Sequence, residues 1–138
     1  VDGFQHEVYE NPELTPQERR MKWLEVEKKY LPSRYYEEIP ELDEGLFFYR
    51  QGHLFSVPFY YIDYTLAQVC AFQFWKKANE NREKAWEEYL HLCKQGGTKP
   101  FLELVKEANL ENPFKDGTIS NIVPELKKYL DSVDATKF

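Results

Sequence analysis

The residues best suited to chemistry fall in one stretch, His53-Leu-Phe-Ser-Val-Pro-Phe-Tyr-Tyr-Ile-Asp-Tyr-Thr-Leu-Ala-Gln68. It offers an imidazole at His53 and phenols at Tyr60, Tyr61 and Tyr64. Such donors, fixed in place beforehand, stabilise negative charge that develops on an oxygen only in a transition state. A helix capped at Ser56 or Val57, with Pro58 in its first turn and running to about Lys77, is expected to carry the tyrosines. At about 100° per residue, Phe59, Ile62, Leu66, Val69 and Cys70 share one side, and Gln73 interrupts their stripe a turn later. Tyr60, Tyr61 and Tyr64 fall on the opposite side with Ala67, Gln68 and Ala71, where a solvated face would carry Lys and Glu. Small residues there allow close approach of another body, and His53, just ahead of the helix, reaches the same space. Two readings of this face stand: a donor wall lining a cleft, or core tyrosines whose hydroxyls are satisfied by backbone.

The elements around it read as helices. Val1, Phe4 and Val8 have helical spacing, but no capping residue precedes Val1, so the pattern opens midway, as expected of a piece of something longer. Asn11-Pro12 ends it. Thr15-Pro16-Gln17-Glu18 is a capping box with proline where its missing N–H costs nothing. The helix it starts runs to about Tyr30, with Trp23, Val26 and Tyr30 as its apolar stripe, and Pro32 follows. A loop and a short helix from Leu42 to Arg50 come next. Beyond the tyrosine segment, Asn79 to Asn81 breaks the chain, Arg82 to Lys94 is helical, and Gly96-Gly97 stops it. A short helix follows Thr98 and Pro100 through Ala108. Asn112-Pro113 is another break, and a last helix starts at Gly117-Thr118, with Pro124 kinking or dividing it. No stretch alternates with period two. The expected fold is all-α, a multi-helix array within a single domain over 1–138.

Composition bounds the partners. The chain has 138 residues, 42% apolar and 30% charged, enough for one modest core. Net charge is −6 with no basic stripe, which argues against nucleic acid. No long apolar run predicts a membrane span, and no leader pattern is visible. Cys70 and Cys93 read as buried, reduced thiols of a cytoplasmic protein, and their spacing excludes a zinc ribbon.

The histidines His6, His53 and His91 are never four apart, so no H-E-x-x-H zinc helix exists here. His6-Glu7-Val8-Tyr9-Glu10 imitates that motif with Glu in last place, and no metal ligand is assigned. His91, among Leu90, Leu92 and Cys93, reads as a packing histidine. Asp63 reads as a local cap or a group orienting a phenol.

The segment from His53 to Gln68 closely resembles the C-terminal signature of oligoendopeptidase F-type metallopeptidases, relatives of thimet oligopeptidase. Val1-Asp-Gly-Phe-Gln-His6 and Val8-Tyr-Glu-Asn-Pro12 resemble the part of that family that follows its zinc helix. Ala85-Trp-Glu-Glu-Tyr-Leu90, Gly96-Gly97, Phe101-Leu-Glu-Leu104 and Asn112-Pro-Phe114 resemble its closing helices. The likeness spans nearly the whole chain, in the right order. It implies a large helical zinc enzyme that cleaves short peptides, its metal held by H-E-x-x-H and a downstream Glu. It also implies that His53 and two tyrosines three apart, Tyr61 and Tyr64, bind the substrate carbonyl and the tetrahedral intermediate. Tyr60 and Gln68 would contact substrate, and the choice between Tyr60 and Tyr61 stays open because the offset from the histidine differs between branches.

On this reading the chain is the C-terminal, substrate-side part of a zinc endopeptidase. It would be inactive alone, would dock with the missing N-terminal part, and would tend to self-associate through exposed apolar surface. The alternative is a standalone, non-catalytic helical module that binds peptides or a partner.

Overall fold

Helix boundaries follow local chemistry over most of the chain. In this computed structural model, which describes residues 1–134 and Thr136, the described residues form eight α-helices and one 3₁₀ helix without a strand. They group into two compact units, Val1–Asp63 and Tyr64 onward.

In the first unit, α1 (Asp2–Glu10) ends where Asn11 turns its side-chain amide onto the Glu7 carbonyl at 2.9 Å. The α2 helix (Pro16–Tyr30) opens on the expected capping box: the Glu18 N–H donates to Thr15 Oγ1 at 3.3 Å, and the Thr15 N–H donates to the Glu18 carboxylate at 2.8 Å. Phe4, Trp23, Phe48 and Leu54 make the core, with Val1, Val8, Val26 and Phe47 at its margin. Phe4 meets Trp23 edge-on at 5.3 Å, an arrangement favoured by the ring quadrupole, and Phe48 at 4.9 Å with a tilt of 42°. Tyr30, expected in the stripe of α2, is 66% exposed. The residues that α2 buries are Trp23 and, in its last turn, Glu27 in place of Tyr30.

The predicted helix from Leu42 to Arg50 is divided. A short α3 (Pro40–Asp43) and a 3₁₀ helix (Leu46–Arg50) flank Gly45, whose φ of 86° is left-handed. A Cβ at Gly45 would lie 2.5 Å from the Arg20 carbonyl oxygen, so α2 and this turn approach as closely as they do only because the residue is glycine. Before it, the buried Glu27 accepts a short hydrogen bond from the Tyr36 hydroxyl and has Arg34 3.5 Å away. The Arg34 guanidinium lies 4.0 Å over the Phe47 ring. Burial, and then the bond to Glu27, push the Tyr36 hydroxyl up to about 12.

The predicted continuous helix after Ser56 is also divided. Residues Gly52–Ser56 form α4, and Ile62–Glu80 form α5. Pro58 disfavours helical backbone at Val57, which sits at φ −143°, and Phe59 is left-handed at φ 59°.

In the second unit, the covered side of α5 is the predicted one. Val69 and Gln73 are buried, and Leu66 and Cys70 half-buried, while Tyr64, Ala67, Gln68 and Ala71 are exposed. Val105, Ala108 and Leu110, on and after α7 (Phe101–Glu107), form a small core joined by Cys70, Phe74 and Leu92. Gln73 does not merely interrupt a stripe. Its amide donates to the Glu111 carbonyl at 3.0 Å and accepts from the Glu111 N–H at 2.7 Å, copying one rung of a β-ladder for backbone that has no helix to bond to. The Lys77 ammonium donates to the Asn109 carbonyl at 2.8 Å, just past the end of α7 where carbonyls lack partners. It also pairs with Glu88 of α6 (Arg82–Gln95), and that hydrogen bond holds the Glu88 carboxyl below its ordinary range. The last helix, α8 (Val123–Ser132), begins later than predicted, with Pro124 in its first turn. The turn before it is fixed by the buried Thr118, whose hydroxyl donates to the Asn112 carbonyl at 2.8 Å. Among the described residues no helix is long and apolar enough to cross a membrane.

Candidate functional site

His53, Tyr60 and Tyr61 are positioned by a short helix and a turn, and of the donor candidates only Tyr64 lies on the long helix α5. His53 lies inside α4. The chain then reverses through Val57, Pro58 and Phe59, with the Tyr60 N–H donating to the Val57 carbonyl at 3.2 Å. The reversal returns both following tyrosines to His53. The imidazole stacks on the Tyr60 ring at 5.9 Å and 23°, and meets the Tyr61 ring edge-on at 5.3 Å and 78°. The expectation that Tyr60 and Tyr61 ride the outer face of a helix is therefore corrected: both precede α5, and the turn presents them.

Tyr64 and Gln68 belong to the second unit, one turn apart on α5. They line an open, mostly apolar groove of about 400 Å³ with Phe72, Ile119, Val123 and Leu126. Tyr60 is 43% exposed and Tyr64 52%, which removes the reading of these tyrosines as core. Tyr60 and Tyr64 are accessible to an incoming group, whereas Tyr61 is half-buried.

The turn itself is held from α1. Gln5 is 2% exposed, and its side-chain carbonyl accepts from the Phe59 N–H at 3.2 Å. The Phe59 ring packs on His6 at 5.1 Å and Tyr9 at 4.9 Å. Sequence reasoning missed this support. Gln5 carries no signal of its own in a helical pattern, because its partner is 54 residues away.

The remaining candidates are dispersed. His6 lies 3.6 Å from Asp2 on its own helix, and Glu10 at the end of the imitation motif is exposed. His91 meets only the Gln95 amide among the contacts seen, at 3.3 Å on the helix surface. Among the described residues, no three His, Cys, Asp or Glu side chains come together in a way that could hold a metal ion. The side chains present therefore do not fit a zinc site. Both cysteines are free thiols. Burial pushes the Cys70 thiol up, whereas Cys93, expected to be buried, is exposed.

Comparison with known proteins gives a consistent context. The sequence pattern of Peptidase family M3 matches residues 1–123. Among curated proteins no match is found. The chain is similar to the crystal structure of an oligoendopeptidase F at 55% identity and a TM-score of 0.93, covering 99% of this chain and 24% of that one. It is similar to PZ peptidase A, solved with an inhibitor, at 53% identity and a TM-score of 0.90, covering 96% and 24%. An oligoendopeptidase F from Bacillus anthracis str. Ames matches at 48% identity and a TM-score of 0.75, covering 99% and 21%. The chain thus spans about a quarter of the length of these structures.

Proposed function

This chain belongs to peptidase family M3, and from that premise we propose that it is the C-terminal, substrate-side helical part of a zinc endopeptidase that cleaves short peptides. The observation that carries the reading is the His53 imidazole packed against two tyrosine rings, one of them well exposed, in a chain this similar to oligoendopeptidases. In the proposal His53, Tyr61 and Tyr64 donate hydrogen bonds to the scissile carbonyl and to the oxyanion it becomes, while Tyr60 and Gln68 hold the peptide. A phenol or imidazole N–H aimed at that oxygen gains strength as charge develops, so these groups act on the rate more than on affinity. Zinc is assigned to the part of the enzyme outside this chain, and the residues described here act on the peptide alone. The chain by itself is accordingly proposed to be inactive. The exposed Trp86, Phe114 and Leu130 suit docking with the rest of the enzyme or, failing that, self-association. Two free thiols suit a cytoplasmic setting.

The test is Tyr64→Phe in the zinc-loaded, full-length enzyme. Loss of one oxyanion donor should lower kcat roughly 100-fold with little change in KM. A turnover number unchanged by the substitution removes Tyr64 from the mechanism.

A further inference from the structure

We propose that Gln5 is a positioning residue for the His53–Tyr61 donor pair: it holds the left-handed turn at Phe59 that lays Tyr60 and Tyr61 against the imidazole. The inference rests on the donor reading above and adds a residue that touches no substrate.

Three observations carry it. First, Phe59 has φ 59°, a backbone state that a residue with a bulky side chain enters only when its surroundings hold it there. Without that state the chain leaving Pro58 would continue away, and Tyr60 and Tyr61 would not return to His53. Second, α1 supplies the hold at two points. The Gln5 side-chain carbonyl takes the Phe59 N–H at 3.2 Å, and His6 and Tyr9 clamp its ring. The peptide N–H can only donate, so the amide orientation of Gln5 is fixed, with oxygen toward Phe59. Third, the other half of the same amide, Nε2, is buried with no hydrogen-bond partner among the described residues. A buried, unsatisfied donor opposes folding. A residue kept only to fill the core at 2% exposure would be better apolar. What Gln5 supplies that Leu or Met would not is an acceptor for the N–H of the strained residue, Phe59.

Gln5→Met keeps length and volume and removes that acceptor. Gln5→Glu keeps an oxygen toward Phe59 and serves as the conservative rescue. Tyr61→Phe is the reference. Each is made in the zinc-loaded, full-length enzyme, and kcat, KM and thermal midpoint are measured with a quenched fluorescent peptide. The metal-free proteins, labelled at histidine, report the His53 ring protons, whose shifts depend on the two tyrosine rings beside them.

The expected result for Gln5→Met is a fall in kcat of about tenfold with KM nearly constant and the melting midpoint kept. The His53 signals should move toward those of a solvated histidine. Gln5→Glu should recover part of both. The double variant Gln5→Met/Tyr61→Phe should be no slower than Tyr61→Phe alone, since the two act as one unit. The proposal is overturned if Gln5→Met keeps its kcat and His53 shifts while Tyr61→Phe is slow, if the two substitutions multiply, or if kcat falls only as far as the midpoint does. If Tyr61→Phe itself turns over normally, the donor reading fails, and the Gln5 proposal goes with it.

Discussion

The two compact units meet the same difficulty, backbone that is neither helix nor strand, in different ways. In Val1–Asp63 the irregular stretches adopt strained conformations: Glu37, Glu38 and Phe59 all have positive φ. Phe59 is held by one side-chain hydrogen bond, from its N–H to Gln5, and by the rings of His6 and Tyr9. From Tyr64 onward the only such non-glycine residue among those described is Asn109, a type that tolerates the left-handed region. There the core is small, and side chains hydrogen-bond to the irregular backbone directly, Gln73 to Glu111, Lys77 to Asn109 and Thr118 to Asn112. Strain concentrates where a site needs side chains in one fixed arrangement. The unit that stores it is the one presenting His53 with Tyr60 and Tyr61.

If this contrast holds, the two units fail in different ways. The largest effect is expected from Gly45→Val. The new side chain meets the Arg20 carbonyl in a backbone state closed to β-branched residues. A loss of at least about 3 kcal/mol is expected, with amide exchange rising across residues 1–63. Equal exchange in both units would dissolve the contrast. Next is Gln73→Leu, similar in volume but with neither hydrogen bond. It removes both hydrogen bonds to the Glu111 backbone and should cost about 2 kcal/mol, roughly 1 for each bond, read as faster exchange around Glu111. A neutral result would mean that packing, not hydrogen bonding, holds the second unit.

Smaller, and confined to the first unit, is the effect of Tyr36. Folded, this hydroxyl keeps its proton to about 12, against 10 for an ordinary tyrosine. The folded state therefore binds the extra proton across that window. The stability this represents is complete below pH 10 and is lost as pH rises toward 12. Tyr36→Phe should cost about 1.5 kcal/mol at neutral pH, chiefly by leaving Glu27 without its donor. The gap between variant and parent should close as pH climbs through the window. A gap that is constant with pH would mean that Tyr36 does not titrate with unfolding.

The same contrast accounts for what could be read in the sequence. The capping box at Thr15, the stop at Gly96 and the covered side of α5 were legible because each depends on residues within a turn or two of one another. The break between α4 and α5 was not. Pro58 is acceptable in the first turn of a helix, and the turn that follows it includes a hydrogen bond from the Phe59 N–H to the side chain of Gln5, 54 positions earlier. Gln73 looked like a fault in a stripe because its partner lies 38 residues on. The donor candidates His53, Tyr60 and Tyr61 were picked out by residue type, but their geometry was not legible, because a helical wheel drawn through Phe59 assigns faces to residues outside the helix.

The smallest effect is at the best-read element. Thr15→Ala removes the hydroxyl that accepts the Glu18 N–H at 3.3 Å and leaves the Thr15 backbone bond to the Glu18 carboxylate in place. Losing half a capping box should cost about 1 kcal/mol, with faster exchange at the first amides of α2 and little change elsewhere. The Thr15 side chain, then its backbone N–H, hold the Glu18 carboxyl below its ordinary value of 4.5. A depressed carboxyl stabilises the fold above that value and loses its effect as pH falls through the folded one. Part of the difference between parent and variant should therefore disappear in acid, leaving the share due to the Glu18 N–H. If the substitution instead disturbs exchange around Trp23, start and core of α2 are coupled, and the first unit is one cooperative body in which even a local cap bears on the strained turns.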